Sequence, residues 1–266
     1  MFFLFREIFR VNHHRELYFY IFEKILHSLK LIIDIGNTAV KAALFEDKEL
    51  IISTVLNGCT LQNTLIFVGE QIVSNAIISS VKTLNTDIEQ IIQHFDAHFL
   101  DEYTPLPISI DYKTPNTLGK DRIAAVVGAS FLFPNHDVLV LDSGTCLTID
   151  FINKEKVYKG GRISPGLEMR YKALNQFTSS LPLCKFSEIS MFLGDDTSSS
   201  IISGVQQGIL AEVREIINVY KKENKDTIIA VTGGDCFFFE KELKNSIFAN
   251  PFLVIEGLNE ILDYNE

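Results

Sequence analysis

From Leu31 onward the apolar and polar positions follow a clear rhythm. Three apolar, β-branched runs at residues 31–35, 40–46 and 49–56 are separated by Gly-Asn and Asp-Lys turn signals, and they predict three consecutive strands. A helix over residues 60–71 and a strand over 75–81 follow. Ile88, Ile91, Ile92 and Phe95 share one side of a helix predicted over 87–95, and 98–100 reads as a short strand. Residues 103–118 are polar and hold Pro105, Pro107 and Pro115, so an irregular loop is expected. Next comes a helix from 119 to about 133, with Ile123, Ala124, Val127 and Phe131 inward.

At Val138 the strand rhythm restarts, over 138–142, 146–153 and 156–163. Helices at 165–174 and 199–222, a strand at 227–232, a helix at 237–243, a strand at 247–252 and a helix from Glu256 complete the chain. Three strands and then a helix thus occur twice, each time opened by an Asp-x-Gly turn. The pattern predicts an α/β fold of two similar domains, 31–135 and 136–266, with mixed sheets meeting at a cleft.

Residues 1–30 stand apart as an N-terminal extension. They are rich in Phe and Tyr, but charges from Arg6 to Lys24 interrupt every apolar run well short of the ~20 residues of a membrane span. No small-residue cleavage site follows, so neither a leader nor a membrane partner is expected. Two readings stay open. The extension is an amphipathic helix on the body or a partner, or translation begins at Leu29 and the extension is not native.

Composition changes the picture in two places. The net charge of −10 disfavours nonspecific binding to nucleic acid, and it means an anionic ligand needs locally placed donors. Cys59, Cys146, Cys184 and Cys236 are scattered without a CxxC, which suggests reduced, mostly buried thiols in a cytoplasmic protein and no zinc site.

The candidate chemistry sits in the turns. Asp34-Ile35-Gly36-Asn37-Thr38 ends one apolar strand, and Asp142-Ser143-Gly144-Thr145 ends another. Gly36 admits a positive φ or a close approach, and backbone N–H groups in such a turn form an anion-binding concavity. Asp34 at a strand tip suits Mg²⁺ bridging phosphate oxygens, with Lys41 as a point charge and Thr145 and Thr148 as hydroxyl donors. Taken singly, each turn is a plain hairpin. Taken together, they suggest a clamp for the polyphosphate of ATP. A third turn, Val231 to Asp235, has a glycine pair against which a nucleoside could lie.

These residues resemble the superfamily of acetate and sugar kinases, heat-shock chaperones and actin, in which two ribonuclease-H-like (actin-like ATPase) domains clamp ATP. Within it the chain is similar to the type III pantothenate kinases. The family opens with DxGNTxxK, here Asp34 through Lys41, and continues with GxDR, here Gly119-Lys120-Asp121-Arg122, preceded by Tyr112. DxGTxxTxD follows as Asp142 through Asp150, GGxIxPGL as Gly160 through Leu167, then Leu181-Pro182 and Thr197 through Gly204. The chain departs at Cys146, often alanine in the family, and at Gly194-Asp195-Asp196-Thr197, often GTxT.

The resemblance implies ATP-dependent phosphorylation of pantothenate to 4'-phosphopantothenate, the first step of coenzyme A biosynthesis. It makes Asp121 the general base and gives ATP to Asp34, Ile35, Gly36, Asn37, Thr38, Ala39, Val40, Lys41 and Thr145. It gives pantothenate to Tyr112, Gly119, Lys120, Asp121, Arg122 and Thr197. It also implies Mg²⁺ with ATP, a monovalent cation (K⁺ or NH₄⁺) at Asp142, and a homodimer. The stripe Ile202, Val205, Ile209, Val213 and Ile216 is a candidate interface, or ordinary core. Two alternatives remain in the same superfamily: a kinase for another small molecule, and a nonenzymatic ATP-driven switch.

Overall fold

The computed structural model describes residues 29–188, 192–243 and 247–266. The expected N-terminal extension lies outside the described residues except for Leu29 and Lys30, which already belong to the first strand. Among the described residues no helix is long and apolar enough to cross a membrane.

The chain order is β1 (Leu29–Ile35), β2 (Val40–Glu46), β3 (Glu49–Leu56), α1 (Leu61–Val68), β4 (Val73–Ser80), α2 (Thr86–Phe95), β5 (His98–Phe99), β6 (Ser109–Ile110) and α3 (Lys120–Leu132). It continues with β7 (Val138–Ser143), β8 (Cys146–Ile152), β9 (Val157–Pro165), α4 (Leu167–Gln176), α5 (Thr197–Glu223), β10 (Ile228–Thr232), α6 (Cys236–Leu243), β11 (Phe248–Ala249) and α7 (Leu253–Tyr264).

One sheet has the order β3-β2-β1-β4-β5, and the other, from its far edge, β6-β9-β8-β7-β10-β11. Apart from β6 the two orders are the same. In each, three strands meander antiparallel and two more add in parallel beside the first. The repeat legible in the sequence is therefore a repeat of topology.

Alternation along β1 and β7 sorts their side chains into separate cores. Leu31, Ile33 and Ile35 pack with Val68, Ile88 and Ile91 on the α1/α2 side of the first sheet. Leu139 and Leu141 pack with Tyr171, Val205, Ile209 and Phe239 on the α4/α5/α6 side of the second. Between the sheets, Ile32 and Ile77 meet Val138 and Val140 through a shared layer built from α3 and α7. That layer is exchanged: α3, which follows the first sheet in sequence, packs on β7 and β8, whereas α7 packs on β1 and β4. The two helices cross closely because each contributes a glycine. A Cβ on Gly128 would overlap the Leu253 carbonyl, and one on Gly257 would overlap the Ala124 carbonyl. Lys48 reaches across to Glu260 and Asp263 at 2.6 Å each, and Lys30 also pairs with Asp263.

Several expectations are corrected. The loop over 103–118 contains the short β6, which pairs in parallel with β9, and a 3-10 turn at Pro115–Thr117. Phe131 points outward, 39% exposed, and carries Lys156 over its ring at 4.1 Å. The expected strand at 247–252 shrinks to Phe248–Ala249, because Asn250 accepts from Phe252 N at 2.9 Å in the turn that starts α7. α5 starts at Thr197 because Asp196 caps it, accepting from Ser199 N at 2.7 Å. The stripe from Val205 to Ile216 on α5 is core, not a free interface. Only Cys236 is buried; the other three thiols are half-buried.

Candidate active site

The hairpin β1-β2 places Asp34 opposite Lys41 on one side and beside Ser79 of β4 on the other. The hairpin β7-β8 places Asp142 opposite Thr148 and beside Thr232 of β10. The apolar residues that bury each strand thereby carry one acid to each tip. The two tips meet: the Thr38 and Thr145 hydroxyls lie 2.8 Å apart. Asp34, Asn37, Lys41, Asp142, Gly144 and Thr145 line one cleft of about 610 Å³.

Three backbone devices keep this cleft open. The turns close through Gly36 N donating to Ala39 O at 3.0 Å and Gly144 N to Cys146 O at 2.9 Å. Gly36 is held by close approach, since a Cβ there would stand 3.3 Å from Ala39 O, and a Cβ on Gly144 would meet only open space. The glycine whose backbone is obligatory lies in the third turn. Gly233 has φ 89°, and a Cβ there would overlap Ser143 O and the Asp142 carboxylate. Asp235 beyond it accepts from the Ser143 hydroxyl at 2.9 Å and ties the third turn to the second.

A third acid enters from the side. Gly119 caps α3 without a side-chain bond, so the N-terminal end of that helix points at the cleft with Asp121 in its first turn. Asp121 Oδ1 accepts from Arg122 N at 2.8 Å. Asp34, Asp121 and Asp142 now share one space with Lys41, and Glu168 and Asp235 also line it. Burial, then the Asp121 charge, pushes the Asp34 carboxyl up to about 6 against the pull of Lys41. Burial and the Asp121 charge likewise push Asp142 up to about 7, with Asp34 adding to the rise.

The other expected residues divide. Gly119, Asp121, Arg122 and Ala39 line the cleft. Ile35 and Val40 turn their side chains into the core, so only their backbone can serve a ligand. Lys120 does not line the cleft. Tyr112 is one step back, its ring edge-on to Tyr158 with centroids 5.8 Å apart, and its hydroxyl supports the Arg122 charge. Thr197 lines a separate cavity with Asp195, Asp196 and Ser200.

The type III pantothenate kinase family model matches residues 30–219, well over half of the chain. The chain belongs to the type III pantothenate kinase family. The type III pantothenate kinase of Phocaeicola vulgatus is 43% identical over 241 residues, which cover 90% of this chain and 99% of the relative. Among solved structures, a Baf-family protein of Campylobacter jejuni, titled a transcriptional activator, superposes with a TM-score of 0.59 at 22% identity, covering 88% of this chain and 98% of that one. A Listeria monocytogenes protein titled an N-acetylmannosamine kinase gives 0.53 at 14%, covering 90% and 100%. At these identities the two structures speak for the fold alone, and that fold is the actin-like ATPase architecture.

A type III pantothenate kinase uses ATP with Mg²⁺, and the residues present fit the ion. Asp34 Oδ1 is buried without a partner among the described residues. It is a hard oxygen donor beside two more acids, and a cation there would relieve their mutual repulsion. Asp34 would hold the ion, with phosphate oxygens and water as its further ligands. That is how Mg²⁺ is ordinarily held in phosphoryl-transfer sites. The ion would neutralise phosphate charge there.

Sequence reasoning passed over Asp150 and Tyr158 as site-forming residues, and it offered the Val231–Asp235 turn to a nucleoside without its tie to the second hairpin. Asp150 carried a visible signal: it is the one charge inside the apolar strand Cys146–Ile152. The contacts of Gly233 and Asp235 with the second hairpin are long-range and leave no local pattern.

Proposed function

We propose that this chain transfers the γ-phosphoryl group of ATP to the primary hydroxyl of pantothenate, giving 4'-phosphopantothenate and opening coenzyme A biosynthesis. One observation carries this reading: the two acid-tipped turns touch through Thr38 and Thr145, over a cleft into which α3 delivers Asp121. Phosphoryl transfer is largely a matter of positioning and charge neutralisation, and the cleft offers both. The turn N–H groups and Lys41 receive the phosphates, while Thr145 adds a hydroxyl. Asp121 orients the acceptor hydroxyl and takes its proton. Arg122 holds a pantothenate oxygen at the same helix end.

The finer parts belong to the same proposal. Asp142 contributes to a monovalent cation site, and replacing K⁺ by Na⁺ in the assay should depress turnover; indifference to the swap removes that site. Thr197 lies in a cavity that shares no lining residue with the cleft. Its contact with pantothenate therefore comes from a second copy, in a homodimer.

The deciding experiment measures ADP release from ATP with and without pantothenate. Strong dependence on pantothenate supports the reading. ATP consumption driven equally by other hydroxyl compounds favours a different small-molecule kinase, and nucleotide binding without acceptor-dependent turnover favours a switch.

A further inference from the structure

An acid lies behind the cleft wall, and no step above uses it. Asp150 is 1% exposed and Arg122 7%. Arg122 Nε donates to the two Asp150 oxygens at 3.0 and 3.1 Å, and Nη2 donates to Oδ1 at 2.6 Å. The Tyr158 hydroxyl donates to the same oxygen at 2.8 Å and accepts from Arg122 Nη2 at 2.9 Å. Of these three residues only Arg122 reaches the cleft.

Stability alone is a weak reason for this arrangement. Desolvating both charges cancels most of their attraction, and a well-packed apolar pair would do as well. The neighbouring strand also gives way to it. At Gly161 a Cβ would overlap Asp150 Oδ1 and stand 2.7 Å from Arg122 Nη2, so β9 leaves out a side chain where the pair needs room. The bidentate geometry fixes a guanidinium plane, which a point contact would not. With the Nε–Nη2 edge held by Asp150 and Tyr158 and the Tyr112 hydroxyl also supporting the charge, the guanidinium is fixed where it lines the cleft.

We propose that Asp150 is a positioning residue for phosphoryl transfer, holding Arg122 so that its guanidinium meets pantothenate and the first turn of α3 keeps Asp121 on the acceptor hydroxyl. The second half follows from the Arg122 backbone N–H, which donates to Asp121 Oδ1 at 2.8 Å. Asp150 itself touches no substrate. Tyr158 locks its carboxylate, and Tyr112 braces Tyr158. This inference rests on the pantothenate reading above.

The test is steady-state kinetics on the full chain and on Asp150→Asn, varying pantothenate and ATP separately. A misplacement of about 1 Å near a reacting centre costs about 100-fold, so kcat/KM for pantothenate should fall by about that factor. KM for ATP should stay within about twofold, which a general loosening of the fold would not allow. Tyr158→Phe removes only a hydroxyl and keeps the test alive if Asp150→Asn fails to fold; it should shift kcat/KM for pantothenate the same way by about fivefold. The double variant Arg122→Ala/Asp150→Asn should match Arg122→Ala within about twofold, because Asp150 acts through Arg122. A wild-type enzyme without pantothenate-dependent turnover overturns the parent reading. Wild-type turnover with unchanged pantothenate kinetics in Tyr158→Phe and Asp150→Asn, or equal losses for ATP and pantothenate, overturns this one alone.

Discussion

Opposite Asp34 in the first hairpin stands Lys41; at the matching ladder position opposite Asp142 stands Thr148. Beside Asp34 the parallel neighbour strand ends in Ser79-Ser80, whereas beside Asp142 it runs into Gly233-Gly234-Asp235. The strand order is the same on both sides, yet one half supplies a cation and the other supplies hydroxyls and a bare backbone. Such a clamp has a direction. On the proposed function, the phosphate charge would fall to the lysine half and the nucleoside end to the glycine turn. A repeated topology therefore did not repeat the chemistry, and one residue per hairpin makes the difference.

The exchanged helices differ in the same way. α3 enters the cleft with Asp121, while α7, despite Glu256 in its first turn, places no residue on the cleft lining. Asp121→Asn should therefore have the largest effect, lowering kcat by about 100- to 10,000-fold while nucleotide binding, read by calorimetry, stays near normal. Near-normal turnover would remove Asp121 as the base. Next in size is the crossing itself. Gly257→Val drives a branched side chain into the Ala124 carbonyl and should cost about 3 kcal/mol or more by urea denaturation, against less than about 0.5 for the exposed Glu223→Ala.

Lys41→Met and Thr148→Val test the hairpins directly. The lysine variant should raise KM for ATP by about 10- to 100-fold, and the threonine variant by less than about fivefold. Equal losses would erase the polarity argued above. The smallest effect is one of stability. Burial and the Asp121 charge push the folded Asp142 carboxyl from its ordinary 3.8 up to about 7, so the folded state holds the extra proton between those values. Stability from this group is thus present at acid pH and lost as pH rises through about 7. Asp142→Asn without ligand should gain little near pH 4 and on the order of 2 kcal/mol above pH 7.5, checked by thermal unfolding across pH. A gain that shrinks with rising pH would contradict the assigned shift.

Much of this was legible along the chain, for physical reasons. Strands with fully buried apolar runs, such as Leu31–Ile35 and Val138–Leu141, reveal themselves locally, and an acid at the end of each is conspicuous. β6 was hidden because two residues cannot build a period, and its pairing depends on β9, some fifty residues on. Phe131 was misjudged because helical periodicity knows nothing of Lys48 and Lys156, which cover its ring from the solvent side. The Arg122–Asp150 pair and the seat of Asp142 against Gly233 join distant segments, and no local pattern announces them. Thr197 is a different case: its motif position suggested the substrate, and the fold seats it in a cavity apart from the cleft of its own chain, which no local pattern could show.

The exchange of α3 and α7 has a bearing on how the chain is made. One face of β1 and β4, near the start of the chain, is roofed by the helix at its very end. During synthesis that face lacks the α7 part of its cover until residues 253–264 have left the ribosome. Contacts of such long sequence separation are slow to close, so the nascent amino-terminal sheet is a natural client for chaperones. Truncating the tail should then strand a sticky sheet, not release a smaller working enzyme.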